Sequence, residues 1–573
     1  MNYGDALTLL PQTYKQHINK LRANGQFALS GHLNGPIGKA GMPALALNFS
    51  VANGALQNND PPAKLTGMNG TGQLVYDFNV PNRATLSLKD ISGKLGPDAF
   101  DASLVIQNFD DPALALDWRG EFSLGELTRL FPDLLPKAKL TGKLAGSFKT
   151  EGKLRHYNAE HIIYTRTSGQ LALRDVDYKS TIDKRRVESL NGQLKFTPDA
   201  ADIQQLTGMI DGNHVRFDGH FRNYMPYFLT DQGVLEAELW VRAGDLRLDP
   251  WLDGPGAEQG AQDESADESV AQNDARQREG LPDRVRVNLQ AEIGTMRYDK
   301  LVAKDVHTSV RLVDRKGTVD RLRFLAFGGS FNLSGTAEQR QIAMKGEIQH
   351  VDLRQFFDTF EQFGELVMVG PHAHGKLTTN FDVRARATAG LEVDPKSIAA
   401  SGNFSVSEGK LLDFPLFAEM AGFIKFNRLR NLDFGACKGE FRLEHERGYL
   451  DQLHLTANRL TIDAHGSHGF DESIDYHFAI QLPRREWKDT RSNDVQDWIA
   501  TAEGEHIPLT LRMQATGTAE QPQFKLDRRA IKQHRRERRK AEKQELAREM
   551  KREKEQLFGE QSEEDADDWV ITE

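Results

Sequence analysis

Strict alternation of apolar and polar residues constrains this chain more than any other feature. Phe441 and Leu443 alternate with Glu440, Arg442 and Glu444. Leu453 and Leu455 flank His454, and Leu460 and Ile462 flank Thr461. Tyr476, Phe478, Ile480 and Leu482 alternate with His477, Ala479 and Gln481. Side chains on a strand point to opposite faces at period two, so each run predicts a strand with one apolar and one wetter face. Gly or Asp punctuates the expected joins, at Glu408–Gly409, Arg447–Gly448, His465–Gly466 and Asp471, which suits an antiparallel meander. A phrase of Gly, any residue, then Leu or Phe recurs at Gly25, Gly72, Gly192, Gly233, Gly402 and Gly439, without a fixed period. With 573 residues, the chain is too long for one ordinary compact core unless the fold is elongated or repetitive.

Helical spacing is confined to short segments. Ala6 to Leu21 is amphipathic from Pro11 onward, and Leu124 to Leu135 carries Leu127, Leu130, Phe131 and Leu134 on one side. Leu353 to Leu366 clusters four phenylalanines and has Asp352 where an N-cap would stand. Pro415 to Ile424 is a short apolar helix between strands. Residues 253–283 are acidic and lack the large apolar groups needed to offset ordering entropy, so they are expected to be disordered. They form either a linker between domains or, the preferred alternative, a long loop between neighbouring strands of one sheet. Residues 527–559 predict a charged helix rich in arginine and lysine, and 560–573 an acidic tail. On that helix Arg528, Arg529, Arg535, Arg536, Arg538, Arg539 and Lys540 are candidates for contact with anionic lipid headgroups.

Signals for chemistry are weak. Gly35 to Ala40 is a poor phosphate loop, with Leu33 in place of its first glycine and Ala40 where a Mg²⁺-binding hydroxyl belongs. His372 with His374, and His465 with His468, lack a third ligand at a telling spacing. The single cysteine, Cys437, excludes an internal disulfide. A net charge of −10 argues against nucleic acid as a partner of the whole chain. The expectation is a non-enzymatic protein with no cofactor and no metal. No stretch reaches the ~20 apolar residues needed to span a bilayer as a helix.

The chain from about Arg284 to Leu526 resembles the C-terminal region of the AsmA family, bacterial envelope proteins related to TamB. The resemblance is carried by Gly375 to Leu377 with Asn380 to Val383, by Ser401 to Gly409, by Lys410 to Leu416, by Leu460 to Gly466 and by Ile474 to Phe478. It extends more weakly over residues 1–252. It implies a long, curled antiparallel sheet forming an elongated apolar groove, with 1–252 as its N-terminal part and 284–526 as the AsmA-like part. It also implies a periplasmic location, with attachment to the inner membrane through an N-terminal helix that this chain lacks. The implied function is phospholipid transfer or outer-membrane assembly, with phospholipids as ligands and a membrane surface or outer-membrane proteins as partners. The groove-lining candidates are Phe404, Val406, Phe441, Leu443, Tyr476, Phe478 and Ile480. An apolar sheet face without helices to cover it can instead close on itself, so the alternative is a structural envelope scaffold with a dry core.

Overall fold

The computed structural model describes residues 21–36, 43–59, 62–125, 138–157, 162–180, 186–229, 233–249, 281–359, 372–387, 393–457, 459–482, 509–518, 521–527, 536, 540 and 543–553. These residues are overwhelmingly strand, so the all-β expectation holds. The chain divides into two compact units, Met1–Ile348 with Val383–Pro395, and Gln349–Asp382 with Lys396–Glu573.

The first unit contains β1 (Leu21–Asn34), β2 (Ala44–Asn59), β3 (Pro62–Asp77), β4 (Thr85–Leu95), β5 (Asp98–Gln107), β6 (Ala113–Ser123), β7 (Ala138–Lys153) and β8 (Arg166–Ser180). It continues through β9 (Arg186–Phe196), β10 (Ala200–Ile210), β11 (Asn213–Arg222), β12 (Leu235–Arg247), β13 (Val285–Tyr298), β14 (Leu301–Val313), β15 (Lys316–Ala326) and β16 (Gly329–Glu338). Each strand pairs with the next in sequence. All these pairs are antiparallel except one: β12 and β13 run parallel, in register from Leu235 opposite Val285 to Arg247 opposite Arg297. Parallel neighbours need a long connection to bring the chain back to its starting edge. The acidic segment lies in that connection. Its own residues from 250 to 280 are outside the described ones.

β17 (Gln341–Asp352) and β18 (Ala373–Arg386) carry the chain across the unit boundary. The second unit holds β19 (Ala399–Leu412), β20 (Asn431–Glu444), β21 (Arg447–Ala457), β22 (Leu460–Gly469), β23 (Ser473–Leu482), β24 (Leu509–Thr518) and β25 (Pro522–Leu526), paired antiparallel in that order from β19 onward. Short helices are α1 (Tyr224–Leu229), α2 (Leu353–Thr359) and α3 (Pro415–Ile424), and residues 543–553 of the charged tail are helical. The Asp352 carboxylate accepts from the Gln355 backbone N–H at 3.0 Å, so α2 starts at the expected cap. The segment 6–21 lies outside the described residues except for Leu21, and of 124–135 only Leu124 and Gly125 are described.

Three of the expected joins are not turns: Glu408–Gly409 and His465–Gly466 lie inside β19 and β22, and Arg447–Gly448 opens β21. The hairpin between β20 and β21 turns at His445 and Glu446, both with positive φ, as a two-residue type I′ turn requires. The in-strand glycines have a different role. Gly72 stands opposite Phe49, Gly402 opposite Phe441, Gly439 opposite Phe404 and Gly409 opposite Phe434. At each, an added Cβ would run into the partner's ring. At Gly72, Gly402 and Gly439 the recurrent glycine phrase therefore marks cross-strand glycine–aromatic pairs, in which a ring covers the backbone that glycine exposes, whereas Gly25 and Gly192 face Gly54 and Leu206.

Candidate functional site

The two units treat their apolar faces differently. In the second, Leu455, Ile462, Ile480 and Leu511 stand side by side across four strands, and Ala464, Phe478 and Met513 form the neighbouring row. Helix α3 lies on these rows. Phe417 packs on Phe478 with ring centres 6.0 Å apart, and Met420, Ala421 and Ile424 are fully buried. Pro415 at the first turn fixes where α3 begins, and Lys425, left-handed at φ 54°, ends it. The result is a closed hydrophobic cluster. Burying one such side chain stabilises the fold by about 1.5–3 kcal/mol.

Five of the seven groove candidates fall in or against this cluster. Val406, Phe478 and Ile480 are buried core residues, while Phe404 and Tyr476 pack against it half-buried. Phe441 and Leu443 are half-buried toward the end of β20. The alternation placed these side chains on strands correctly; the feature it could not show is that α3 closes over the cluster that holds Val406, Phe478 and Ile480.

No helix of comparable length covers the first unit's apolar face among the described residues. One row runs Leu171, Leu194, Ile203, Gly219, Leu239, Leu289, Val310 and Val319, each the register partner of the next. A second row runs beside it, with Trp118 stacked on Phe148 at 5.3 Å and continuing through Phe196, Phe221, Val287 and Leu312. From β8 to β15 the first row crosses eight strands. At about 4.8 Å per step it is roughly 34 Å long, against the ~15 Å that one leaflet of a bilayer's hydrocarbon core measures. Its larger members are half-buried, unlike the fully buried rows beneath α3. The opposite face carries ion pairs between neighbouring strands. Arg242 bonds Glu292 at 2.9 Å, Arg311 bonds Asp320 at 2.6 Å, and Arg286 approaches Glu236 at 3.4 Å. The strands are therefore strongly two-sided, and among the described residues the apolar side lacks the cover that the second unit builds.

One polar cluster interrupts the apolar side. Thr150 bonds Thr167 at 2.7 Å and the Tyr157 hydroxyl at 3.0 Å, and Thr165 bonds Thr167 at 3.1 Å. Thr150 and Thr165 are buried and satisfied by this network.

Of the membrane-surface candidates, Arg536 and Lys540 are helical and exposed, while Arg528, Arg529, Arg535, Arg538 and Arg539 lie outside the described residues. His372 bonds the Leu412 carbonyl at 2.9 Å, and His465 stacks on His477 at 5.1 Å. Among the described residues no group of three metal-ligating side chains converges, and no helix is long and apolar enough to cross a membrane. Burial pushes the Cys437 thiol up to about 12, so it is a packed side chain with little thiolate character. The chain matches no family model, no curated protein and no solved structure.

Proposed function

We propose that the first unit's apolar face holds the acyl chains of phospholipids, and that the protein is a non-enzymatic lipid-transfer or outer-membrane-assembly protein of the bacterial envelope. The observation that carries this reading is the apolar row from Leu171 to Val319, half-buried, interrupted only at Gly219 and about twice as long as one leaflet's hydrocarbon is thick. Exposed apolar surface of that extent marks a binding site, since a monomer gains nothing by leaving it wet. The resemblance to the AsmA family supports the same reading, including a periplasmic location. A structural scaffold is the second reading, and the closed cluster beneath α3 favours it for the second unit alone.

The test is lipid carriage. Purified protein should retain phospholipid on extraction and move it between vesicles. Leu194→Asp places a charge against hydrocarbon, which is costly when unpaired, and should lower retained lipid severalfold. Gln193→Asp, exposed on the other face, should leave it unchanged. Wild-type protein free of lipid and inactive in transfer would overturn the reading.

A further inference from the structure

We infer that one edge of the first unit, formed by the loops joining β1 to β8, is a docking surface for the interfacial region of a lipid bilayer. Consecutive loops at this edge each present a large apolar or aromatic side chain. Leu33 ends β1 and is 57% exposed, and Phe78 follows β3 at 41%. Phe109, between β5 and β6, is half-buried, and it and Phe78 both pack near Tyr76, with ring centres 6.3 and 4.8 Å away. Leu154 and Tyr164, between β7 and β8, are 44% and 65% exposed. All these loops lie on the same edge, because antiparallel neighbours alternate direction and the loops after β1, β3, β5 and β7 share one side. The turn described at the opposite edge in this stretch, between β4 and β5, is Gly96–Pro97.

Exposed cations stand among these groups: Arg83 in the same loop as Phe78, and Arg155 next to Leu154 in sequence, its guanidinium 3.4 Å from the Asp111 carboxylate. Separated aromatic and aliphatic tips with arginine between them match the chemistry of a bilayer interface. There the rings sit at headgroup level and the guanidinium groups meet phosphate. The spacing favours a bilayer over a folded protein. The anchors are spread over eight strands, about 34 Å at ~4.8 Å per step. A fluid interface accommodates isolated anchors over that distance, whereas a protein partner needs a continuous packed patch. The edge also borders the apolar face, so a docked bilayer meets the rows that start at Trp118 and Phe148.

Vesicle co-sedimentation of the full chain tests this, with phosphatidylcholine vesicles in about 0.5 M salt, where exposed charge contacts such as those of the basic tail are largely screened. Wild-type protein should bind. The combined variant Phe78→Asp, Leu154→Asp, Tyr164→Asp should lose roughly tenfold in partitioning, because interfacial binding scales with buried apolar area. Lys300→Asp, at the opposite edge, should bind as wild type. Co-purified phospholipid separates this inference from the lipid-carrying one: the triple variant should keep it, whereas Leu194→Asp should lose it and still bind vesicles. If the triple variant misfolds by circular dichroism, Tyr164→Asp alone should still weaken binding measurably. Failure of wild-type protein to bind, or equal binding by the correctly folded variants, would overturn the inference.

Discussion

Two histidines of β22 tie the second unit's stability to pH. His465 is held below the ordinary imidazole range, first by burial and then by the stacked His477. His468 is lowered by burial and by Arg447. A lowered histidine binds its proton more readily in the unfolded chain than in the folded one. Its contribution is therefore intact above the unfolded value of about 6.5 and is lost as pH falls through the folded value. Acidification from neutral pH should lower the denaturant midpoint of the second unit's transition, and His465→Gln should flatten that dependence. An unchanged slope in the variant would show that His465 has no part in it. The histidine stack was invisible in the sequence, where His465 and His477 stand twelve residues apart. Register alone makes them neighbours.

At the scale of single elements, the glycine–aromatic pairs make a sharp prediction. Gly439 accepts the Phe404 ring across the β19–β20 ladder, and a Cβ there would meet that ring and the Gln452 carbonyl. Gly439→Val should destabilise the second unit by about 1–3 kcal/mol, the usual cost of forcing side chains off their rotamers, although valine favours strands. Gly435→Val, with nothing within 4 Å of its would-be Cβ, should cost much less in the same denaturant titration. The strands themselves were legible: the runs around Phe441, Leu455, Ile462 and Phe478 all became strands, because period two fixes which face each side chain takes. The meaning of glycine was misjoined at Gly409 and Gly466. Composition shows that glycine is frequent but not whether it bends the chain or seats a ring. Helix α3 was legible as an element, yet its consequence was not. An amphipathic decapeptide does not reveal which rows of the sheet it will cover, and that choice separates Phe478 and Ile480 in a dry core from Leu194 and Leu239 on an open face.

At the scale of the whole chain, the parallel pair β12–β13 decides how the acidic segment relates to its flanks. A linker between independent domains would leave its two ends in separate bodies. Here the strands on either side are adjacent, and twelve residue pairs hold them in register from Leu235–Val285 to Arg247–Arg297. Arg242–Glu292 and Arg286–Glu236 add cross-strand ion pairs, each worth little while exposed. The larger effect is that Leu239 and Leu289 continue one apolar row through the junction. Cleavage by a glutamate-specific protease at Glu258, Glu264 or Glu268 should therefore yield two fragments that elute together by size exclusion without denaturant. They should separate only once the first unit unfolds. Breaking the row at the junction with Leu289→Asp should allow the cleaved halves to part, while the uncut variant remains one chain. Separation of the wild-type fragments under native conditions would mean that the β12–β13 pairing does not hold the two flanks together.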